Sequence, residues 1–307
     1  MTRVSTAMIP MAALADLSKA QQALVESARQ SSAQTKASDL KGYGREAQTL
    51  VSAERLLART EGFVATGKEL RTRMELQDVA LGRAADIVAG LKEELFQNVG
   101  LKDGDGVRSK LEEAFAVIKD AMNTTLGGNY LFGGVLNDRP PVTAATLSDL
   151  AANPIASSLE QGASAQVIRI EESRTLNAGV VADDFITEAL TSLRNLAIVD
   201  EGANGPFDGT LTDPQLTALQ TELDNLSTAF DKILQAQSLN GQLLNQVDAA
   251  IDRQGKQVDT LNTSIGDIVD VDLAEVAVNL NNAKYAYESS ASIFATIKDL
   301  SLLNYLS

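Results

Sequence analysis

From Leu216 to Ile268 the sequence keeps one stripe in view without a slip. Steps of three and four give Leu216, Leu219, Leu223, Leu226, Phe230, Ile233, Gln237, Asn240, Leu244, Val247, Ile251, Gln254, Val258, Leu261, Ile265 and Ile268, thirteen of sixteen of them apolar. A 3,4 alternation sustained this long fits a coiled-coil seam on one helix and no strand. At ~1.5 Å per residue it predicts a rod of about 80 Å. Thr212 or Asp213 would cap its start, with Pro214 in the first turn. A stripe so narrow cannot bury itself, so the chain must supply a second helix to cover it.

That partner is predicted in the N-terminal half. Leu70, Met74, Gln77, Leu81, Ala84, Val88, Leu91 and Leu95 repeat the spacing with one polar interruption. KDGDG at 102–106 then breaks the helix, and Leu111, Phe115, Ile118 and Met122 mark one face of the next helical segment. The prolines agree: five of six fall between Pro140 and Pro214, and the sixth is Pro10. Residues 11–126 and 215–305 are free of them, as long helices require. The fold class expected is mainly α, a long antiparallel helical or coiled-coil bundle of N- and C-terminal regions, with a small α+β insert.

Inside the insert, AQVIRIEESRTLNAGVV (165–181) alternates in strand fashion at Val167, Ile168 and Ile170. Asp183 and Asp184 are expected to cap a short helix carrying Leu190, Leu193 and Leu196, and GANGPFDGT (202–210) reads as loop. At the C-terminal end Asp272 and Glu275 suit a capping box. Beyond them Leu273, Val276, Leu280, Tyr287, Phe294, Ile297, Leu300 and Leu303 cover more than one narrow stripe. Leu14, Leu17, Leu24 and Val25 repeat this more weakly near the start. Both ends therefore look like helices awaiting partners.

Composition narrows the chemistry. With no Cys and no His, thiol nucleophiles, imidazole bases and Cys/His metal ligands are excluded. A net charge of −15 repels phosphate backbones, which argues against nucleic-acid binding. Aromatics at 4% are too few for a broad core but suit helices packed through narrow seams. Asp16 and Lys19 interrupt the N-terminus early, so neither a signal peptide nor a membrane-spanning stretch is expected.

GGNYLFGG, residues 127–134, lacks the Lys-Ser/Thr of a phosphate loop, and no strand precedes it. The expectation is that Gly127 and Gly128 end the helix of 107–126, Tyr130–Phe132 form a strand, and Gly133–Gly134 make a turn. KDGDG departs from a calcium loop, with Val107 and Ala114 where ligands belong, and reads as a helix-breaking turn. Asn123, Asn225 and Asn262 open glycosylation sequons that fall in predicted helices. Paired carboxylates at Glu112/Glu113, Glu171/Glu172 and Asp183/Asp184 read as solvated faces. No residue takes a catalytic, cofactor or metal role in this reading.

These motifs resemble those of the flagellin superfamily of bacterial axial proteins. GGNYLFGG is similar to the GNY-[ILV]-F-[AG]-G segment of the hook–filament junction family, hook-associated protein 3. ATIKDLSLLNYLS resembles that family's C-terminus, and DLAEVAVNLNNAKYAYESSASIFA the terminal helix shared by junction proteins and flagellins. The likeness covers most of 107–140 and 244–307. RQSSAQTKASDLKGYGREAQTLVSAERLL departs from the flagellin stretch around Ser-Thr-Gly-Lys-Arg-Ile, which favours the junction family; the filament subunit is the alternative.

The resemblance implies a structural subunit rather than an enzyme, without cofactor, exported by the flagellar type III apparatus and assembling as a ring at the distal hook end. Its partners would be copies of itself, a neighbouring hook-associated protein, flagellin, and an export chaperone on the C-terminal helix around Leu280–Leu306, with no nucleic acid and no membrane insertion. Residues 1–40 and 268–307 would form an inner helical domain, 41–140 and 212–267 a rod, and 141–211 an outer insert. The assembly interface expected is Leu14, Leu17, Leu24, Leu280, Phe294, Ile297, Leu300, Leu302, Leu303 and Leu306. The family motif is Gly128, Asn129, Tyr130, Leu131, Phe132, Gly133 and Gly134. A translocator that acts on membranes would carry an apolar inserting segment, and the sequence has none.

Overall fold

A computed structural model describes residues 8–160, 162 and 164–306; the side chains of residues 8–10 and 300–306 lie outside the description. The order is α1 (Met8–Ala33), a 3-10 turn (Leu40–Glu46), α2 (Ala47–Leu101), α3 (Val107–Met122), β1 (Thr125–Leu126), β2 (Asn129–Tyr130), α4 (Leu147–Ala152), α5 (Ile155–Ser158), β3 (Val167–Glu171), β4 (Arg174–Asn177), α6 (Asp183–Glu201), α7 (Asp213–Val269) and α8 (Leu273–Leu306). The fold is mainly helical with small β elements, as expected; the strands form two hairpins, β1–β2 and β3–β4. Contacts divide the chain into two units: Thr60–Lys256, and the residues up to Arg59 together with those from Gln257 on.

In the unit of residues 60–256 the two seams meet. Asn240 of α7 donates from its side-chain amide to the carbonyl of Met74 on α2 at 2.8 Å. The Gln237 amide lies beside Gly82, and Ile251 beside Gly67, so numbers rise on α2 as they fall on α7: the helices are antiparallel. All eight N-terminal seam residues, Leu70 through Leu95, are buried. On α7 every seam position is buried or half-buried, with Leu219, Leu226, Ile233 and Val247 fully enclosed. α3, α4 and α6 pack against this pair and extend its core through Leu111, Ile118, Leu150, Phe185, Ile186 and Leu193.

Helix ends follow local chemistry. α2 stops where Lys102 takes a left-handed φ of 56°, and Asp103 bridges to Thr210. Gly104 N donates to Gly209 O at 2.7 Å, while Asp105 Oδ1 accepts from Gly209 N at 2.7 Å. KDGDG is thus a turn clamped to a second glycine loop. Thr212 precedes α7, and the Gln215 side chain accepts from its N–H at 2.8 Å. Asp272 Oδ1 accepts from Ala274 N at 2.8 Å and Glu275 N at 3.3 Å, satisfying orphan donors at the start of α8. At α6 the expectation fails: Ala182 is the N-cap, without a side-chain bond, and Asp183 and Asp184 sit in the first turn. There their charge still meets the positive end of the helix dipole.

The other unit is thinner. The chain just after α1 is hydrogen-bonded to the junction of α7 and α8, with Val271 N on Gln34 O at 3.2 Å and Lys36 N on Val269 O at 2.8 Å. α1 and α8 pack closely from that junction, so they run antiparallel. Small buried residues allow the approach: Ala20 and Ser27 on α1, Val276 and Ala283 on α8, seven apart on each helix. Among the described residues Leu50 is the large buried side chain of the unit.

Candidate functional site

GGNYLFGG sits where the helices of the 60–256 unit meet its β-structure. Helix α3 ends at Met122, not 126, because Asn123 leaves helical geometry. The Asn123 amide donates to Val142 O and its Oδ1 accepts from Val142 N, both at 2.9 Å. Thr125 then pairs with Tyr130 and Leu126 with Asn129. Gly127 and Gly128, with φ of 60° and 85°, form the two-residue turn between them. Positive φ at both central positions is what such a hairpin demands, and glycine meets it at least cost. The glycine pair is therefore a hairpin turn rather than a helix C-cap, and the strand is Asn129–Tyr130 rather than Tyr130–Phe132.

Leu131 and Phe132 are the anchor. Leu131 is 2% exposed and Phe132 fully buried, its ring edge-on to Phe185 with centroids 5.8 Å apart. Their backbone carbonyls need partners in that apolar setting. Leu131 O accepts from Gln77 Nε2 at 2.8 Å and Arg73 Nη2 at 3.0 Å, one turn apart on α2. Phe132 O accepts from Ala182 N at 3.2 Å. Gln77 Nε2 also reaches Val180 O at 3.3 Å. Burial pulls the Arg73 guanidinium below its ordinary pKa, and its Nη1 donates to Gln166 Oε1 at 2.9 Å. Gly133 O accepts from Leu136 N and Gly162 N, making the turn expected at Gly133–Gly134. The motif is a knot of α2, α3, α6 and the insert.

Gln77 and Arg73 were not among the residues read as functional. The signal for Gln77 was there, a polar residue on an otherwise apolar seam. Arg73 carried none.

On α1, Leu17 and Leu24 are half-buried and fall in a heptad stripe with Ala13, Ala20 and Ser27. On α8, Leu280, Phe294 and Ile297 are half-buried in a like stripe with Val276, Ala283, Tyr287 and Ser290. These stripes lie where α1 and α8 face each other. Leu14, 54% exposed, lies elsewhere, with Met11 and Val25 within about 60° of it around the helix. On α8 the exposed apolar residues of the opposite face are Val278, Tyr285 and Ile293. Leu300, Leu302, Leu303 and Leu306 lie on α8, but their side chains are outside the described residues.

The carboxylate pairs are placed on the surface. Glu112, Glu113, Glu172, Asp183 and Asp184 are exposed, and Glu171 holds Arg253 at 2.6 Å. Among the described residues no cluster of three or more acidic ligands could hold a metal, and no helix is long and apolar enough to cross a membrane.

Residues 223–306, most of α7 and all of α8, match the family described as "Bacterial flagellin C-terminal helical region". Two of the solved structures that share the fold illustrate the likeness. One, from Vibrio parahaemolyticus and described as a flagellar hook-associated protein, is 14% identical over 73% of this chain and 97% of its own, with a TM-score of 0.61. The other, Bacillus cereus FlgL, is 12% identical over 70% of this chain and 98% of its own, with a TM-score of 0.54. No curated protein matches the chain in sequence.

Proposed function

We propose that this chain is a structural subunit of the bacterial flagellum, joining hook to filament as a hook-associated junction protein. The observation that carries the reading is the flagellin C-terminal match falling on α8, a helix that pairs with α1 yet leaves apolar side chains on both helices turned to solvent. Such faces favour association with further helices. Support for the junction role comes from the resemblance of GGNYLFGG to the junction-family motif, and from the hook-associated description of the Vibrio parahaemolyticus structure that shares the fold.

In this role the chain acts by geometry and not by turnover. Residues 1–40 and 268–307 meet neighbouring copies, 41–140 and 212–267 form the rod, and 141–211 face the medium. The subunit leaves the cell through the flagellar type III apparatus, with a chaperone on the α8 region beforehand, and assembles as a ring between another hook-associated protein and flagellin. The second reading is flagellin itself, favoured by the family matched at 223–306.

Deleting the gene and imaging hook ends by electron microscopy separates the two. Intact hooks with flagellin shed into the medium support the junction role. Hooks still capped by a complete junction, with the filament subunit alone missing, would assign the chain to the filament.

A further inference from the structure

The core of the 60–256 unit is two apolar clusters rather than one. The larger runs from Leu81 on α2 and Ala236 on α7 through α3 and α6. The smaller holds Leu70, Met74, Ile170, Ala178, Val247 and Ala250, with the β3–β4 hairpin laid over α2 and α7. Between them lies a polar layer. Gln77 and Asn240 are wholly buried, and Gln237 is half-buried one turn from Asn240. Each buried amide uses its donors well, yet among the described residues Gln77 Oε1 and Asn240 Oδ1 have no protein partner. An unsatisfied buried carbonyl is costly, and Asn240 is followed by Gly241, a poor helix former in mid-helix.

We propose that the Gln77–Gln237–Asn240 layer uncouples the two clusters, so that the segment of residues 60–76, β3–β4 and 241–256 opens as a local unit while the larger core stays closed. The donors fix the α2–α7 register, since only one alignment sets Asn240 beneath Met74 O. The unpaired oxygens and absent apolar contacts make the layer the place where cooperativity breaks. The hairpin end can then be reshaped without melting the rest. This holds whatever the chain assembles with.

Native-state hydrogen exchange on the full chain, read by mass spectrometry, tests it. Amides of 60–76, 167–177 and 241–256 should share an opening at least about 100-fold easier than those of 81–95, 185–197 and 219–236. Uniform protection across both groups would overturn the proposal. Asn240→Leu, with helix content intact by circular dichroism, should narrow the gap at least tenfold; an unchanged gap would mean that the layer is not its cause. Val247→Ala decides the matter if that variant does not fold. It should lower protection in the smaller group alone, and an equal fall in both would show a single cooperative core.

Discussion

The side-chain amide of Gln77 lies 2.8 Å from the backbone carbonyl of Leu131, 54 residues along the chain. This bond ties the seam of α2 to the GGNYLFGG segment at a point where neither partner meets water. One amide occupies a core position, steadies the hairpin through Leu131, and reaches α6's approach through Val180.

Replacing Gln77 should therefore cost more than its place in one helix suggests. Gln77→Ala removes the donor to two buried carbonyls and leaves a cavity. Arg73 still serves Leu131 O, which limits the loss, and the unpaired Gln77 Oε1 disappears with the side chain. A destabilisation of about 2–3 kcal/mol is expected in urea unfolding. Gln77→Met, which keeps most of the volume, should cost about 1–2 kcal/mol. A loss under about 0.5 kcal/mol in both would mean that the bond contributes nothing net.

Gly179 gives the same contact from the other side. It has a φ of +91°, and a Cβ there would come within 1.7 Å of Gln77 Oε1. By contrast, a Cβ on Gly127 or Gly128 meets open space, so alanine at either carries only the left-handed strain, about 1–2 kcal/mol. Gly179→Ala should be more harmful than Gly127→Ala because it adds a clash to that strain. Combining it with Gln77→Ala should recover part of the loss, a favourable coupling of at least about 1 kcal/mol in a double-mutant cycle. Strict additivity would place the damage elsewhere than at Gln77.

The long elements could be read from the sequence because they rest on periodicity. Every position of the Leu216–Ile268 seam is buried or half-buried, and Leu111, Phe115, Ile118 and Met122 all face the core. What failed depended on distant partners. Helix α3 ends four residues early because Asn123 pairs with Val142, a contact no local signal announces. That early end frees Thr125–Leu126 to become a strand and turns Gly127–Gly128 from cap to hairpin. Gln77 was visible as an exception to the pattern, but its partner was not. Near the termini a weak pattern concealed two faces on each helix, and only packing separates Leu17 and Leu24 from Leu14.

A pH effect is expected where α3, α4 and α6 meet. Glu201 Oε1 accepts from Ser148 Oγ at 2.6 Å and from Arg108 Nη1 at 2.8 Å, and together these bonds hold the Glu201 carboxyl below its usual value of 4.5. Burial works against a charged Arg108, but hydrogen bonds to Glu112, Glu201 and Asp200 outweigh it and hold that group above its ordinary value. A depressed carboxyl stabilises the fold above the unfolded pKa, and this is lost as pH falls through the folded one. Glu201 is 38% exposed, which screens the effect. Ser148→Ala should lower the Tm above pH 5 by on the order of 1 °C, and the difference should shrink below pH 4. A difference constant across that range would remove Glu201 from the account.

The terminal helices allow a sharper separation of folding from association. Val276 and Ala283 are buried between α8 and α1, whereas Leu14, Val25 and Val278 face solvent. Val276→Ala should therefore loosen the α1–α8 pair, lowering protease resistance near both ends of the chain, at a cost of about 1–2 kcal/mol to that unit. Leu14→Ser with Val25→Ser removes apolar surface that no described residue of the monomer covers, so circular dichroism and unfolding should change by less than about 0.5 kcal/mol. If the exposed face is where copies meet, the same double variant should suppress self-association at high concentration in sedimentation velocity. Normal association would clear this face of that role, and a large loss of helix would mean that the two residues support the monomer instead.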